Sequence, residues 1–206
     1  MMFRTVASIF AIALTMPVYA AGNVDAGRSK AQVCAGCHGV DGNATIPNYP
    51  SLAGQHAGYL VNQLKNFKSE RRVNAIMKGQ VANLSDQDMQ DIAAYYASQK
   101  IRTGAATDES KRQFGERIYR GGNESKGLAA CMACHSPNGT GNLPANYPVL
   151  SGQNEGYVVQ TLKDYREGKV RGADDRDESA RTMRTIAKKM SDAEIEAVAH
   201  YISGLQ

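Results

Sequence analysis

The sequence predicts an all-α fold built from two tandem copies of one small helical domain. The motif Cys-x-x-Cys-His occurs twice, at 34–38 and 131–135, and the two copies use every cysteine in the chain. The segments that follow the motifs recur as well. Apolar residues in both halves repeat at the three- and four-residue spacing of amphipathic helices, and strand patterns are absent.

Each half follows the same order of predicted elements. A short helix over 24–37 or 110–121 leads into the motif, and a turn-rich loop with the sequence Asn-Tyr-Pro-x-Leu-x-Gly-Gln follows it. A middle amphipathic helix comes next. The last helix begins at Ser85 or Ser191, each a natural N-cap with acidic residues in the first turn. The second half carries an insertion near 170–180 whose mixed charges predict a solvated loop.

The repeat predicts domains over 21–100 and 110–206, joined by a linker of small and polar residues over 101–109. The chain contains no tryptophan and only four phenylalanines. That is a lean supply for two independent cores, because small domains bury too little apolar surface to be stable without a further support. A large apolar group bonded to each domain would provide that support.

The spacing within the motif predicts covalent attachment of haem. Positions i, i+3 and i+4 share one helix face, so two thiols can bond the vinyl groups of one porphyrin while His38 or His135 offers a ring nitrogen to iron. A zinc site, a thioredoxin-like pair and disulfides are the alternatives; zinc leaves the histidines unexplained, and a thioredoxin-like pair needs a βαβ setting. The covalent attachment is assigned to Cys34, Cys37, Cys131 and Cys134.

Two methionines are the candidates for the second axial ligand of each iron. Met77 and Met183 each lie eight residues before the serine that opens the last helix, in a basic, loop-like stretch from which a side chain can reach the distal haem face. A filled axial position favours electron transfer, whereas an open one permits binding and chemistry. Met89 and Met190 have ordinary apolar partners in the repeat, which predicts core packing.

The remaining histidines do not recur, so they are predicted to lie at the surface or in packing contacts. His56 aligns with an asparagine, and His200 aligns near a tyrosine. Pro50 and Pro148 recur and are predicted to set the loop whose carbonyl accepts a hydrogen bond from the proximal histidine, which orients its ring. The neighbouring tyrosines are candidates for lining the haem pockets: Tyr49 and Tyr147.

The first twenty residues predict a secretory signal. Arg4 forms the charged region, 6–17 is apolar, and Val18-Tyr19-Ala20 is a small-residue cleavage site. The apolar run is short for a membrane span and is followed at once by polar residues. Cleavage near Ala20 would deliver the protein to the periplasm, where haem is attached to thiols. An uncleaved amphipathic anchor is the alternative.

With its two motifs, recurring methionines and repeated loops, the chain resembles the dihaem cytochrome c4 family over 21–206. The resemblance implies two tandem class I cytochrome c domains, each a small helical shell around one covalent haem, related by a pseudo-twofold axis. It also implies a periplasmic electron carrier rather than an enzyme, which shuttles electrons in a respiratory chain toward a haem–copper terminal oxidase.

The implied partners are redox proteins that bind transiently, namely a donor complex and the oxidase, with no small-molecule substrate. The formal net charge of +4 gives no support to nucleic-acid binding, and peripheral association with the membrane stays open. The alternatives are an electron-accepting dihaem subunit of a periplasmic dehydrogenase complex and a zinc-stapled binding module. A docking patch and a solvated charged face are both compatible with the basic residues Lys65, Lys68, Arg71, Arg72 and Lys78.

Overall fold

A computed structural model of the chain describes residues 22–169 and 178–206. The predicted signal at 1–20 and most of the predicted insertion at 170–180 lie outside the described residues. Within the described ranges the regular elements are helices, with two isolated antiparallel bridges and no strand, so the predicted all-α fold is confirmed. In the same ranges, no helix has the length and apolar character needed to cross a membrane.

The described helices fall into two lobes with the same order. Lobe 1, residues 22–100, contains α1 (Val24–Lys30), α2 (Ala35–His38), α3 (Ala57–Lys68), α4 (Ala75–Val81) and α5 (Asp86–Ala97). Lobe 2, residues 109–206, contains α6 (Glu109–Gly121), α7 (Met132–His135), α8 (Glu155–Arg166), α9 (Glu178–Ala187) and α10 (Asp192–Ser203).

The predicted helix over 24–37 is not continuous. A 3₁₀ turn, Ala31–Cys34, separates α1 from α2. A 3₁₀ turn has three residues per turn instead of 3.6, so the side chains of the motif leave the register of α1. The first helix of lobe 2 runs close to its predicted bounds.

In each lobe the first and last helices cross at a glycine. A Cβ added at Gly27 would lie 1.9 Å from the carbonyl oxygen of Asp91 on α5, and one added at Gly115 would lie 2.0 Å from that of Ala197 on α10. The two backbones therefore touch directly at both crossings. Any side chain at these positions would hold the helices apart.

The last helix of each lobe is fixed by its cap and its core face. Ser85 and Ser191 are the predicted N-caps, and each forms a capping box with the acidic residue three positions later. Met89 is fully buried and Met190 almost so, which confirms their predicted place in the core.

One buried carboxylate on the last helix of each lobe pairs with a lysine. Asp91 lies 2.6 Å from Lys30, and Glu194 lies 2.7 Å from Lys126. Burial alone would raise the pKa of Glu194, but hydrogen bonds, first from Lys126 and then from Ser191 and Asn123, outweigh it and lower that pKa to about 2. Both carboxylates are therefore ionised at neutral pH and tie the last helix to an earlier segment of its own lobe.

The two lobes pack against each other beside the loops that follow the motifs. The Tyr157 backbone N–H donates to the Pro47 carbonyl at 2.9 Å, and the Arg72 guanidinium donates to the Tyr157 hydroxyl at 2.9 Å. The connecting segment is also held, because the Gly104 N–H donates to the Ser203 carbonyl at 2.8 Å. The linker thus runs along lobe 2 before α6 begins.

Candidate haem sites

The predicted attachment motif of each lobe occupies one short helical turn. In lobe 1 the turn ends after His38 at Gly39, with φ of 79°. In lobe 2 the equivalent residue is Ser136, with φ of 67°. A residue with a side chain rarely adopts a positive φ, and Ser136 is held there by its own hydroxyl, which accepts a hydrogen bond from the Thr140 N–H at 2.9 Å.

Both motif histidines are buried and hold the same hydrogen bond. His38 Nδ1 lies 2.9 Å from the Pro50 carbonyl oxygen, and His135 Nδ1 lies 3.0 Å from that of Pro148. The two residues are 7% and 8% exposed. Burial lowers the pKa of both histidines, and the hydrogen bond to proline opposes this shift only in part. Each ring is therefore neutral at pH 7, with its proton on Nδ1, and the lone pair of Nε2 is left as the group that can bind a metal ion.

The proline carbonyls thus have the role that the sequence predicted for this loop. The recurring tyrosines lie beside the same histidines, with ring centroids 6.2 Å apart in both lobes, between His38 and Tyr49 and between His135 and Tyr147. The tyrosines restrict the histidine rings from the side, while the prolines fix their rotation. Histidine, proline and tyrosine therefore have the same arrangement in both sites.

The first cysteine of each motif packs against the core of its lobe. Cys34 and Cys131 are partly buried among apolar side chains. Burial raises the pKa of Cys34 and raises that of Cys131 to about 11. Before any thioether bond forms, these thiols are therefore protonated and pack as small apolar groups, and none of the four cysteines forms a disulfide.

Apolar side chains next to the motifs remain only partly buried, which fits a flat apolar group. Leu52 and Val61 in lobe 1, and their equivalents Leu150 and Val159 in lobe 2, pack against their cores with part of their surface uncovered. A porphyrin bonded to the cysteines can cover them. The zinc alternative does not fit, since no group of three or more His, Cys, Asp or Glu suited to a metal ion occurs in residues 22–169 and 178–206.

The two candidate methionines lie on helices, which corrects the prediction of a loop-like stretch. Met77 is half-buried in the first turn of α4, which begins because the Asn74 side chain accepts a hydrogen bond from the Met77 N–H at 2.9 Å. Met183 is half-buried on α9 and packs against buried residues of lobe 2. Asn74 is a strong N-cap type, and it was the available sequence signal for α4. The methionines as iron ligands stay a prediction.

The two non-motif histidines take different places. His200 is buried in a packing contact, as predicted: its Nδ1 lies 2.8 Å from a Glu155 carboxylate oxygen, and its Nε2 accepts from the Asp108 N–H at 3.1 Å. His56 is half-buried, and its Nε2 has no hydrogen-bond partner among the described residues.

The basic residues proposed as a docking patch do not form one uniform surface. Lys65 pairs with Asp86 at 2.8 Å, and Arg72 is turned inward, donating to Gln63 at 2.8 Å and covering the Phe67 ring at 4.6 Å. Together with its contact to lobe 2, this makes Arg72 part of the packing between lobes. No pattern near Arg72 in the sequence indicates that role.

Comparison with known proteins supports this reading of the site. The family model for cytochrome c matches residues 24–100 and, a second time, residues 115–206. Cytochrome c4 of Azotobacter vinelandii is 45% identical over 206 residues, covering 96% of this chain and 96% of the relative. A protein of Thiomonas intermedia, named thiosulfate dehydrogenase electron acceptor, is 34% identical over a region that covers 84% of this chain and 79% of the relative.

A solved structure shares the fold. The crystal structure of reduced recombinant cytochrome c4 from Pseudomonas stutzeri superposes with a TM-score of 0.84 at 42% identity, covering 90% of this chain and all of the other. The pair of matched regions and the nearly full-length similarity agree with the duplicated, buried histidine sites. The chain therefore belongs to the cytochrome c4 family of dihaem electron carriers and carries two covalently bound haem c groups.

Proposed function

We propose that this protein is a periplasmic carrier that shuttles electrons in a respiratory chain toward a terminal oxidase and catalyses no reaction of its own. The observation that supports the proposal is the duplication of one arrangement. In each lobe a buried, neutral histidine is anchored to a proline carbonyl, and a methionine lies on the helix that precedes the last one. Two equivalent sites with both axial ligands supplied suit electron transfer better than chemistry on a substrate.

In this proposal the motif residues hold the cofactors. Cys34 and Cys37, and in lobe 2 Cys131 and Cys134, would form the thioether bonds, while His38 and His135 would each offer a ring nitrogen to the iron. Met77 and Met183 would each offer a sulfur to the iron. When bound, haem c provides a one-electron iron couple. The proline carbonyls fix each histidine ring and raise its basicity, and the apolar walls exclude water, so little of the protein has to rearrange between oxidation states.

The proposal includes the division of the chain into a signal, two domains and a linker. Export removes a signal at 1–20, and the mature protein has cytochrome domains over 21–100 and 110–206 with a linker at 101–109. Its partners are a donor complex and the oxidase, which it meets transiently. Binding to lipid vesicles would place it at the membrane surface as a peripheral protein. Docking depends partly on charge, so the association rate with a partner should fall as salt increases.

Absorption spectra of the exported protein and of single methionine variants test this proposal. The wild-type protein should show two low-spin haems, a methionine–iron charge-transfer band and no response to carbon monoxide. Met77→Ala and Met183→Ala should each remove about half of that band and open one iron to carbon monoxide, whereas the buried-core control Met190→Leu should leave the spectrum unchanged. Carbon monoxide binding by the wild-type protein would contradict the proposed ligands and favour catalysis.

The second candidate function is that of the electron-accepting dihaem subunit of a periplasmic dehydrogenase complex. The relative from Thiomonas intermedia, named an electron acceptor of thiosulfate dehydrogenase, supports it. Purification of the tagged protein from its native periplasm separates the two functions. A second polypeptide that stays bound at stoichiometric amounts through high salt would favour the subunit, and a protein that elutes alone would favour the carrier.

A further inference from the structure

Two glutamines reach across the contact between lobes and bind the backbone of the other lobe. Gln55 of lobe 1 accepts from the Val149 N–H at 2.9 Å and donates to the Val149 carbonyl at 3.0 Å. Gln153 of lobe 2 does the same to Ser51, at 2.8 and 3.0 Å. Each amide thus pairs with a residue of the opposite lobe much as a neighbouring strand would. The two contacts are reciprocal.

The orientation of both amides is fixed. Gln55 Oε1 also accepts from the following N–H, that of His56, at 3.0 Å, and Gln153 Oε1 accepts from the N–H of Asn154 at 2.9 Å. Two donors at the oxygen and a carbonyl at the nitrogen leave one arrangement of the amide. The glutamines are only 6% and 7% exposed, so water does not readily replace the contact.

The bound residues directly follow the prolines that hold the motif histidines. The Pro148 carbonyl, which accepts from His135, and the Val149 N–H, which donates to Gln55, belong to one planar peptide unit. An acceptor at the N–H end of a peptide polarises its carbonyl and makes that oxygen a stronger acceptor. Gln55 of lobe 1 therefore strengthens the hydrogen bond that holds the histidine of lobe 2.

We propose that each lobe positions the proximal histidine of the other, with Gln55 acting on His135 and Gln153 acting on His38. A stronger hydrogen bond from Nδ1–H makes the histidine more basic and favours the oxidised iron. Contact between the lobes thus lowers the reduction potential of both haems, and each glutamine does so for the haem of the opposite lobe. This inference rests on the proposed role of these histidines as iron ligands.

The two directions of this coupling are not equal. The peptide group before Pro50 is also held from lobe 2, because the Asn154 side chain donates to the Tyr49 carbonyl at 2.7 Å. In lobe 2 the equivalent Tyr147 carbonyl accepts from Asn142 of its own lobe at 3.1 Å. The loop around Pro50 therefore depends on the opposite lobe at more points. The haem of lobe 1 should respond more strongly to loss of the contact.

Redox titrations of glutamine variants of the full-length holoprotein test the proposal. Gln55→Met and Gln153→Met keep the side-chain length and apolar volume and remove the amide. The two haems are followed separately by the NMR signals of their methyl groups, assigned in the reduced protein through contacts to Cys37 or Cys134. Gln55→Met should raise the potential of the lobe 2 haem more than that of lobe 1, and Gln153→Met should give the opposite pattern with a larger shift.

Two controls separate positioning from general loosening. Gln99→Ala removes a glutamine of lobe 1 whose side chain, within the part of the chain that the structure describes, bonds only to Tyr95 and Ser98 at its own helix end, and it should leave both potentials unchanged. Gln55→Glu keeps an acceptor oxygen for the Val149 N–H but adds a buried negative charge, which stabilises the oxidised iron, so it should lower the potential of the lobe 2 haem where Gln55→Met raises it. Equal shifts at both haems, shifts confined to the mutated lobe or no shift at all would each overturn the proposal.

A hydrogen-exchange measurement distinguishes failure of this inference from failure of the proposed ligation. Exchange of the Val149 amide should accelerate by up to about tenfold in Gln55→Met, the equivalent of one lost hydrogen bond. An unchanged rate would refute the contact between lobes itself. Separately, absence of strong ring-current shifts on His38 and His135 protons in the reduced wild-type protein would refute their ligation of iron and, with it, the route to the potential.

Discussion

The helix crossing at Gly115 should be highly sensitive to an added side chain. In Gly115→Ala the new methyl group would lie 2.0 Å from the Ala197 carbonyl oxygen and 2.8 Å from Tyr201 Cβ. Contacts of this kind are ordinary only from about 3.4 Å, so α6 and α10 would have to separate by about 1.4 Å. Overpacking costs about 1–3 kcal/mol, and here it loosens the whole face between two helices. We therefore expect Gly115→Ala to lower the free energy of unfolding by about 3 kcal/mol, even after the small gain in helix propensity.

Guanidinium chloride unfolding of the holoprotein, followed by far-ultraviolet circular dichroism, measures this loss. With an m-value of about 3 kcal/mol per M, the midpoint of the lobe 2 transition should fall by about 1 M. Gly121→Ala is the matched control on the same helix, because an added Cβ there meets nothing within 4 Å. It should change stability by no more than about 0.5 kcal/mol. A Gly115→Ala midpoint equal to that of the control would refute the close crossing.

Three further predictions concern the rest of lobe 2. The pKa of Glu194 is depressed to about 2, so its contribution to the free energy of unfolding is complete above the ordinary carboxylate pKa and is lost as pH falls below about 4.5. Glu194→Gln should therefore lower the free energy of unfolding by about 2–3 kcal/mol at pH 7 and make it nearly independent of pH between about 5 and 2. A variant whose stability still falls with acid as steeply as that of the wild-type protein would contradict this. Ser191→Ala should lower the free energy of unfolding by about 1 kcal/mol through loss of the N-cap, measured by the same unfolding curves, while Ser191→Asp should restore most of it. Tyr119→Phe should cost about 1 kcal/mol, because the buried hydroxyl donates to the Ser136 carbonyl at 2.7 Å; a neutral result in thermal unfolding would show that this bond adds nothing.

Much of the fold was predictable because the chain repeats itself. A residue type that recurs at one place in both halves, as Ser85 and Ser191 do, identifies a helix start more firmly than either serine alone. The same reasoning located the proline carbonyls that receive the histidine hydrogen bonds. These features depend on local geometry, which short segments of sequence specify well.

Contacts between the lobes were much harder to predict. Gln55 and Gln153 recur in the loop sequence, but a recurring glutamine does not reveal that its partner lies in the opposite half of the chain. Arg72 looked like one more surface charge, since nothing nearby in sequence announces Tyr157 or the ring of Phe67. The helices that carry the candidate methionines were missed for a related reason. They are short and carry charged residues, so their sequences resemble loops, and only tertiary packing makes such short helices stable.

The turn that closes each motif shows that the two halves are no longer interchangeable. Gly39 has no room for a side chain, because an added Cβ would lie 2.4 Å from the Asn43 carbonyl oxygen, whereas Ser136 adopts the same unusual backbone with its hydroxyl engaged. A chimera that moves the second turn into the first half would place a hydroxymethyl group against that carbonyl. The reverse exchange would merely discard a hydroxyl contact and add chain entropy to the unfolded state. The two halves therefore have a one-way compatibility, in which lobe 2 can accept the glycine turn while lobe 1 rejects the serine turn.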